Sequence, residues 1–79
     1  MEVEIYSKTN CVFCDKAKMR LAKENPKIHM LDHDYSREDF LKKFPNARTF
    51  PQIIINGENI GGYSELEKWL QINSFDEEF

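Results

Sequence analysis

Cys11 and Cys14 are the two cysteines of this chain, separated by Val12 and Phe13. On a helix, residues three apart lie on one face, so the two thiols can meet and form a small ring that opens and closes reversibly. A bridge across so short a loop restrains the unfolded chain little, which makes a structural staple a poor use of the pair. Thiol–disulfide exchange and metal binding are the chemistries left. A C-x-x-C knuckle supplies half the ligands that zinc or an iron–sulfur cluster needs, and the sequence has no second such pair. His29 and His33 stand in a predicted strand and at its exit, with no spacing that converges on Cys11, and read as surface or half-buried residues. No metal site is expected.

Exchange chemistry gives the two sulfurs different tasks. Cys11 stands where a helix begins, and there the free backbone N–H groups and the positive end of the helix dipole favour a thiolate. Lys8 and Lys16 add to that field, and Asp15 partly offsets it. Cys11 is therefore the expected nucleophile. Cys14 lies one turn deeper, followed at helical spacing by the apolar Ala17 and Leu21, and is expected to be the shielded, resolving thiol.

Holding Cys11 at a helix start requires a strand before it and a partner sheet. Over residues 2–6, Val3 and Ile5 alternate with Glu2, Glu4 and Tyr6, the period of a half-buried strand. Ser7 to Asn10 are polar and cap-like, and from Val12 the pattern Phe13, Ala17, Leu21, with Cys14 and Ala22 adjoining, predicts a helix running to Asn25-Pro26. Residues 27–32 read as a second strand. Ser36 and Asp39 resemble a capping box for a short helix bearing Phe40, Leu41 and Phe44, ended by Pro45. Ile53-Ile54-Ile55, Asn56-Gly57 and Glu58-Asn59-Ile60 predict a hairpin closed by a type I′ turn. Gly61-Gly62 permits a reversal, and Ser64-Glu65-Leu66-Glu67 reads as a capping box opening a last helix with Leu66, Trp69 and Leu70 on one side. The first two strands are expected to be parallel, joined by a right-handed crossover. The tail from Asn73 to Phe79 is expected to be loosely held, with Phe75-Asp76-Glu77-Glu78-Phe79 either a docking segment or a solvated end.

Composition sets outer bounds. The 79 residues read as one domain spanning 1–79, and a 41% hydrophobic content is enough for a packed core. Eleven Lys and Arg are scattered among fourteen Asp and Glu, for a net charge of -3, so no basic stripe invites nucleic acid. With no basic leader at the start and no run of 18 apolar residues, the chain reads as cytoplasmic, without membrane contact.

Three segments in order resemble the glutaredoxin family: Glu4-Ile5-Tyr6-Ser7-Lys8-Thr9-Asn10-Cys11-Val12-Phe13-Cys14, then Arg48-Thr49-Phe50-Pro51-Gln52-Ile53, then Ile60-Gly61-Gly62-Tyr63-Ser64-Glu65-Leu66. The resemblance spans about residues 2–72. It implies an α/β thioredoxin fold, a four-stranded mixed sheet flanked by three helices in the order βαβαββα, with Phe50-Pro51 cis and facing Cys11. It also implies glutathione as co-substrate, with no tightly bound cofactor. Lys8, Phe13, Thr49, Phe50, Pro51, Gly62, Tyr63, Ser64 and Glu65 are the residues it assigns to glutathione. An extended strand edge can pair with the cysteinyl backbone, and a helix N-terminus at Ser64 suits the γ-glutamyl carboxylate. Glu65 then meets the γ-glutamyl ammonium and Lys8 the glycine carboxylate.

Two departures from the family's common pattern stand at the site: Val12 replaces a frequent Pro, and Phe13 replaces a frequent Tyr. The implied activity is reduction of protein disulfides and glutathione mixed disulfides by a monomer, with ribonucleotide reductase a candidate protein partner. Two other readings share the fold: a small redoxin recycled by thioredoxin reductase, and a glutathione-assisted iron–sulfur cluster binder.

Overall fold

β1 (Val3–Ser7) is an inner strand, buried at every position but Glu4. In the computed structural model, which describes residues 2–73, β1 is followed by α1 (Val12–Arg20), a 3-10 turn (Ala22–Glu24) and β2 (Lys27–Met30). Then come α2 (Arg37–Lys43), β3 (Gln52–Ile55), β4 (Glu58–Gly61) and α3 (Tyr63–Ile72). The strand order is β2-β1-β3-β4. β1 pairs parallel with β2 and antiparallel with β3, and β3 pairs antiparallel with β4, so the sheet is mixed.

Each face of the sheet has its own core. Val3, Ile5, Ile53 and Ile55 pack with Ala17 and Leu21 of the first helical segment and Leu66 of α3. On the opposite face Tyr6 and Ile54 pack with Phe40 and Phe44, and Tyr35 and Phe50 join at the edge. β1 is thus covered on both sides at Tyr6, rather than half-buried, because the aromatic residues around α2 close over the face that Glu4 leaves open.

Local signals explain most element ends. The Ser36 hydroxyl accepts the Asp39 N–H at 3.0 Å, and the Asp39 carboxylate accepts the Ser36 N–H at 3.4 Å, a reciprocal cap. Asn56 and Gly57 have φ of 53° and 82°, the positive values that a type I′ turn needs at both central positions. Three expectations require correction. α1 ends at Arg20, and the segment to Asn25 continues as a 3-10 turn closed by Asn25 in the left-handed region. β2 ends at Met30, because Asp32 turns to φ 70° and only Leu31 bridges onward, to Tyr35. The last helix opens at Tyr63 with Gly62 as its cap, ahead of Ser64, because the Glu65 carboxylate reaches back to accept the Gly62 N–H at 3.0 Å. The segment Phe75 to Phe79 lies outside the described residues.

The loop after β2 is tied to the end of β1. The Tyr35 hydroxyl donates to the Ser7 carbonyl at 2.7 Å, and the Leu31 N–H donates to the same oxygen at 2.9 Å. Burial first, then the neighbouring Tyr6, Asp32 and Asp34, push the Tyr35 phenol up to about 12 from its ordinary 10.0. The folded chain therefore keeps a proton that the unfolded chain releases, so this phenol stabilises the fold below pH 10 and its contribution is lost as the pH rises towards 12.

Two outcomes are expected from equilibrium urea unfolding. Stability falls as the pH is raised from 10 to 12, and Tyr35→Phe flattens that fall. Gly57→Ala meets no atom within 4 Å yet must hold φ 82°, and costs about 1–2 kcal/mol with an unchanged m value.

Candidate functional site

α1 begins where β1 ends, and the turn between them carries Asn10 at φ 54°. Cys11 is the N-cap, in extended backbone, and its sulfur accepts the Cys14 N–H at 3.1 Å. Its carbonyl accepts the Asp15 N–H at 3.1 Å, the first regular helical bond. The two cysteines are joined as a disulfide, with Cα atoms 5.2 Å apart. Cys11 is half-buried and Cys14 is wholly buried, so solvent meets one sulfur of the pair. A reagent approaching from water reaches Cys11 first. After reduction, the same backbone N–H can stabilise a thiolate there.

The residues singled out from the sequence converge on this end of the sheet, in two groups. In the first, the Phe13 ring packs on the Tyr63 ring at a centroid separation of 5.6 Å, with the Lys16 ammonium 5.1 Å from the Phe13 centroid. In the second, Phe50-Pro51 is cis, Pro51 is buried, and the Lys8 ammonium sits 5.5 Å from the Phe50 centroid. Gly62 links the groups. A Cβ there would lie 3.5 Å from both the Pro51 carbonyl and the Thr49 hydroxyl, so the start of α3 closes against the Thr49-Pro51 segment. Ser64 is exposed in the first turn of α3, and Glu65 is exposed while capping Gly62.

The Tyr63 hydroxyl points along α3 and donates to Glu67 at 2.9 Å. Glu67 in turn lies 3.8 Å from the Arg20 guanidinium at the end of α1. That hydrogen bond, with burial and the Glu67 charge, raises the Tyr63 phenol, against the opposing pull of Arg20. Tyr63 therefore presents its ring to Phe13 and keeps its hydroxyl engaged elsewhere.

Beside the Thr49-Pro51 segment runs an open groove of about 450 Å³, lined in part by Arg48, Thr49, Gln52, Asn59, Gly62 and Glu65. Gln52 was not singled out from the sequence. Its amide donates to the Thr49 carbonyl at 3.0 Å and fixes that segment from below. Arg48, like Gln52, lies in the segment that carries the family resemblance without a site role of its own, and Asn59 has none because a lone polar residue in a strand carries no periodic signal. His29 is absorbed on the far face, 3.0 Å from the Glu4 carboxylate and stacked on Tyr6.

Sheet order, cis proline and a C-x-x-C pair opening the first helix together define a thioredoxin-fold dithiol protein. Comparison with known proteins narrows the class. The glutaredoxin family model matches residues 3–60. Glutaredoxin-1 of Rhizophagus irregularis is 38% identical over 69 residues, covering 81% of this chain and 68% of that protein. Mitochondrial glutaredoxin-2 of mouse is 34% identical over 71 residues, covering 84% of this chain and 46% of that protein. The chain thus spans less than half the length of the mitochondrial relative. Among solved structures, glutaredoxin 1 from Francisella tularensis, complexed with cacodylate, superposes with a TM-score of 0.74 at 28% identity, covering 90% of this chain and 93% of that one. The chain belongs to the glutaredoxin family.

Replacing Glu67 by Gln removes the charge that raises Tyr63. In Glu67→Gln the Tyr63 phenol is expected to titrate lower than in the wild type, followed by NMR of ring-labelled tyrosine, with Tyr35 unmoved.

Proposed function

We propose that this chain is a glutathione-dependent thiol–disulfide oxidoreductase that reduces protein disulfides and glutathione mixed disulfides. The observation that carries the reading is the asymmetry of the pair: Cys11 is accessible and accepts a backbone N–H through its sulfur, and Cys14 is buried one turn behind it. The Cys11 thiolate attacks a substrate disulfide, forms a mixed disulfide and releases one thiolate, which takes up a proton. Cys14 then displaces the second thiolate and closes the intramolecular disulfide seen here. Two molecules of glutathione reopen that disulfide and leave as glutathione disulfide.

Glutathione in this reading lies across the segment from Lys8 to Glu65. Lys8, above Phe50, meets the glycine carboxylate, and Thr49, Phe50 and Pro51 supply the edge for its cysteinyl backbone. Gly62, Tyr63 and Ser64 receive the γ-glutamyl carboxylate at the positive end of α3. Glu65 spends one oxygen on the Gly62 N–H and has the other for the γ-glutamyl ammonium. Phe13 and Tyr63 form an apolar wall beside the sulfurs. Ribonucleotide reductase as protein partner is supported by the sequence resemblance alone.

The test is coupled turnover of a glutathione mixed disulfide with glutathione, glutathione reductase and NADPH. Cys11→Ser falls to the uncatalysed rate. Cys14→Ser keeps turning over the mixed disulfide, because glutathione replaces the second thiol, and loses reduction of protein disulfides that need both. A wild type inactive with glutathione but reduced by thioredoxin reductase would overturn the reading.

A further inference from the structure

Ser7 is the last residue of β1 and is wholly buried. Its carbonyl is doubly satisfied, by Tyr35 and Leu31, yet its hydroxyl has no hydrogen-bond partner among the described residues. A buried hydroxyl without a partner is disfavoured, and such a group in a native fold calls for a reason.

Alternation along β1 puts Ser7 on the same face as Val3 and Ile5, the face that α1 covers. The buried stripe of α1 and its cap is Cys14, Ala17 and Leu21. The chain leaves β1 at Ser7 and enters α1 at Val12, and α1 packs back over the face of Val3 and Ile5, so the end of the strand and the first turn of the helix lie at the same end of the sheet. Val3 and Ile5 share the core with Ala17 and Leu21, and Ser7 and Cys14, both 0% exposed, are the next inward residues of the strand and of the helix towards the turn that joins them. Across the sheet, the register Tyr6 with Gln52 places Pro51 beside Ser7 on one flank, and Met30 pairs with Ser7 on the other. Pro51 has no N–H to offer, and the Met30 sulfur already receives the Lys18 ammonium at 4.0 Å. Cys14 is wholly buried, like Ser7 and Pro51, at the end of the inward-facing stripe of α1 nearest β1's exit.

We infer that the Ser7 hydroxyl is the hydrogen-bond partner of Cys14 in the dithiol form and holds the Cys11–Cys14 equilibrium towards reduction. This rests on the exchange chemistry proposed above. In the disulfide the Cys14 sulfur is bonded to Cys11 and Ser7 is left unpaired. Reduction breaks the S–S bond and adds two electrons and two protons, taken from an external dithiol that is itself oxidised to a disulfide. Cys14 then carries an S–H, which the disulfide lacks, and this can donate to the Ser7 Oγ, so the orphaned hydroxyl gains its partner. In the resolving step Cys14 gives up its proton and attacks the Cys11 sulfur. The bond from Cys11 to the substrate sulfur breaks, and the leaving thiolate departs with the electron pair and is protonated.

The experiment equilibrates the full chain with mixtures of reduced and oxidised dithiothreitol, without glutathione, and measures the fraction of Cys11–Cys14 disulfide. Ser7→Ala is expected to shift the equilibrium about tenfold towards the disulfide, which for this two-electron couple is about 30 mV. Ser7→Thr retains the hydroxyl and is expected to restore most of the shift. Urea unfolding of each redox form separates this from packing: Ser7→Ala weakens the reduced form and leaves the oxidised form as stable or more so. An equilibrium within twofold of the wild type, or equal loss of stability in both forms, would overturn the inference. Because the redox buffer contains no glutathione, a failed glutathione assay overturns the co-substrate reading alone. A wild type that does not exchange with dithiothreitol overturns both.

Discussion

The first turn of α1 has backbone N–H groups that no residue of the helix can accept, and the Cys11 sulfur takes up one of them, from Cys14. That contact bears on the chemistry, because a group that accepts a hydrogen bond is stabilised as an anion, and Cys11 is the sulfur proposed to attack the substrate. It also requires much of the rest of the fold. Cys11 must keep extended backbone while Val12 is already helical, so the chain must leave β1 and enter α1 within a few residues. Asn10 accepts a positive φ to make that turn possible, a value that Asn tolerates better than most residues.

The sheet holds this turn in place from both faces. Ile5 and Ile53, fully buried, fasten β1 to β3 under α1 and α3, so the C-x-x-C end of the helix and the Thr49-Pro51 segment are carried by paired central strands. Tyr6 fills the other face among Phe40, Phe44 and Ile54, and its edge-on contacts with Tyr35 and Phe44, at 5.2 and 5.1 Å, stiffen the same strand from below. A short α2 suffices there because aromatic rings cover more area per residue than aliphatic side chains. The site is thus built on paired inner strands, with Lys8, Val12, Phe13, Thr49 and the first turn of α3 exposed around it.

Most of this was legible in the sequence where a local rule decides the outcome. Asn56-Gly57 demands two positive φ values and received them, and Ser36 with Asp39 caps reciprocally as spacing suggests. The C-x-x-C pair opens its helix as read. Legibility failed where two local rules compete. Ser64 is a good cap by type, but Gly62 holds extended backbone and has Glu65 three residues ahead, so the reciprocal half of the cap comes from Glu65 and Ser64 falls inside the helix. Leu21 continues the apolar period of α1, yet the helix tightens after Arg20 to bring Asn25 into a left-handed turn before Pro26 and β2. Tyr6 read as outward-facing because its neighbours in period are Glu2 and Glu4, and what buries it is Phe40, Phe44 and Ile54, each more than thirty residues further along the chain. The role of Gln52 was not legible, since it depends on the Thr49 carbonyl that the loop presents to it.

Val12 bears on the same N-terminus. It occupies the first helical position, where proline is favoured in helices generally because its missing N–H costs nothing and its φ suits the turn. Valine keeps that N–H. The first turn therefore carries the N–H groups of Val12 and Phe13, neither with an acceptor inside the helix, next to the bond from Cys14 to Cys11. More free donors at this end increase the positive field that a thiolate meets. The price in backbone order is offset by packing elsewhere in the turn, since Phe13 rests on Tyr63 and Cys14 is buried, leaving Val12 exposed at 67% with only its backbone engaged in the helix. Stability of the turn thus comes from the residues that flank Val12, and Val12 itself leaves its N–H in place beside Cys11.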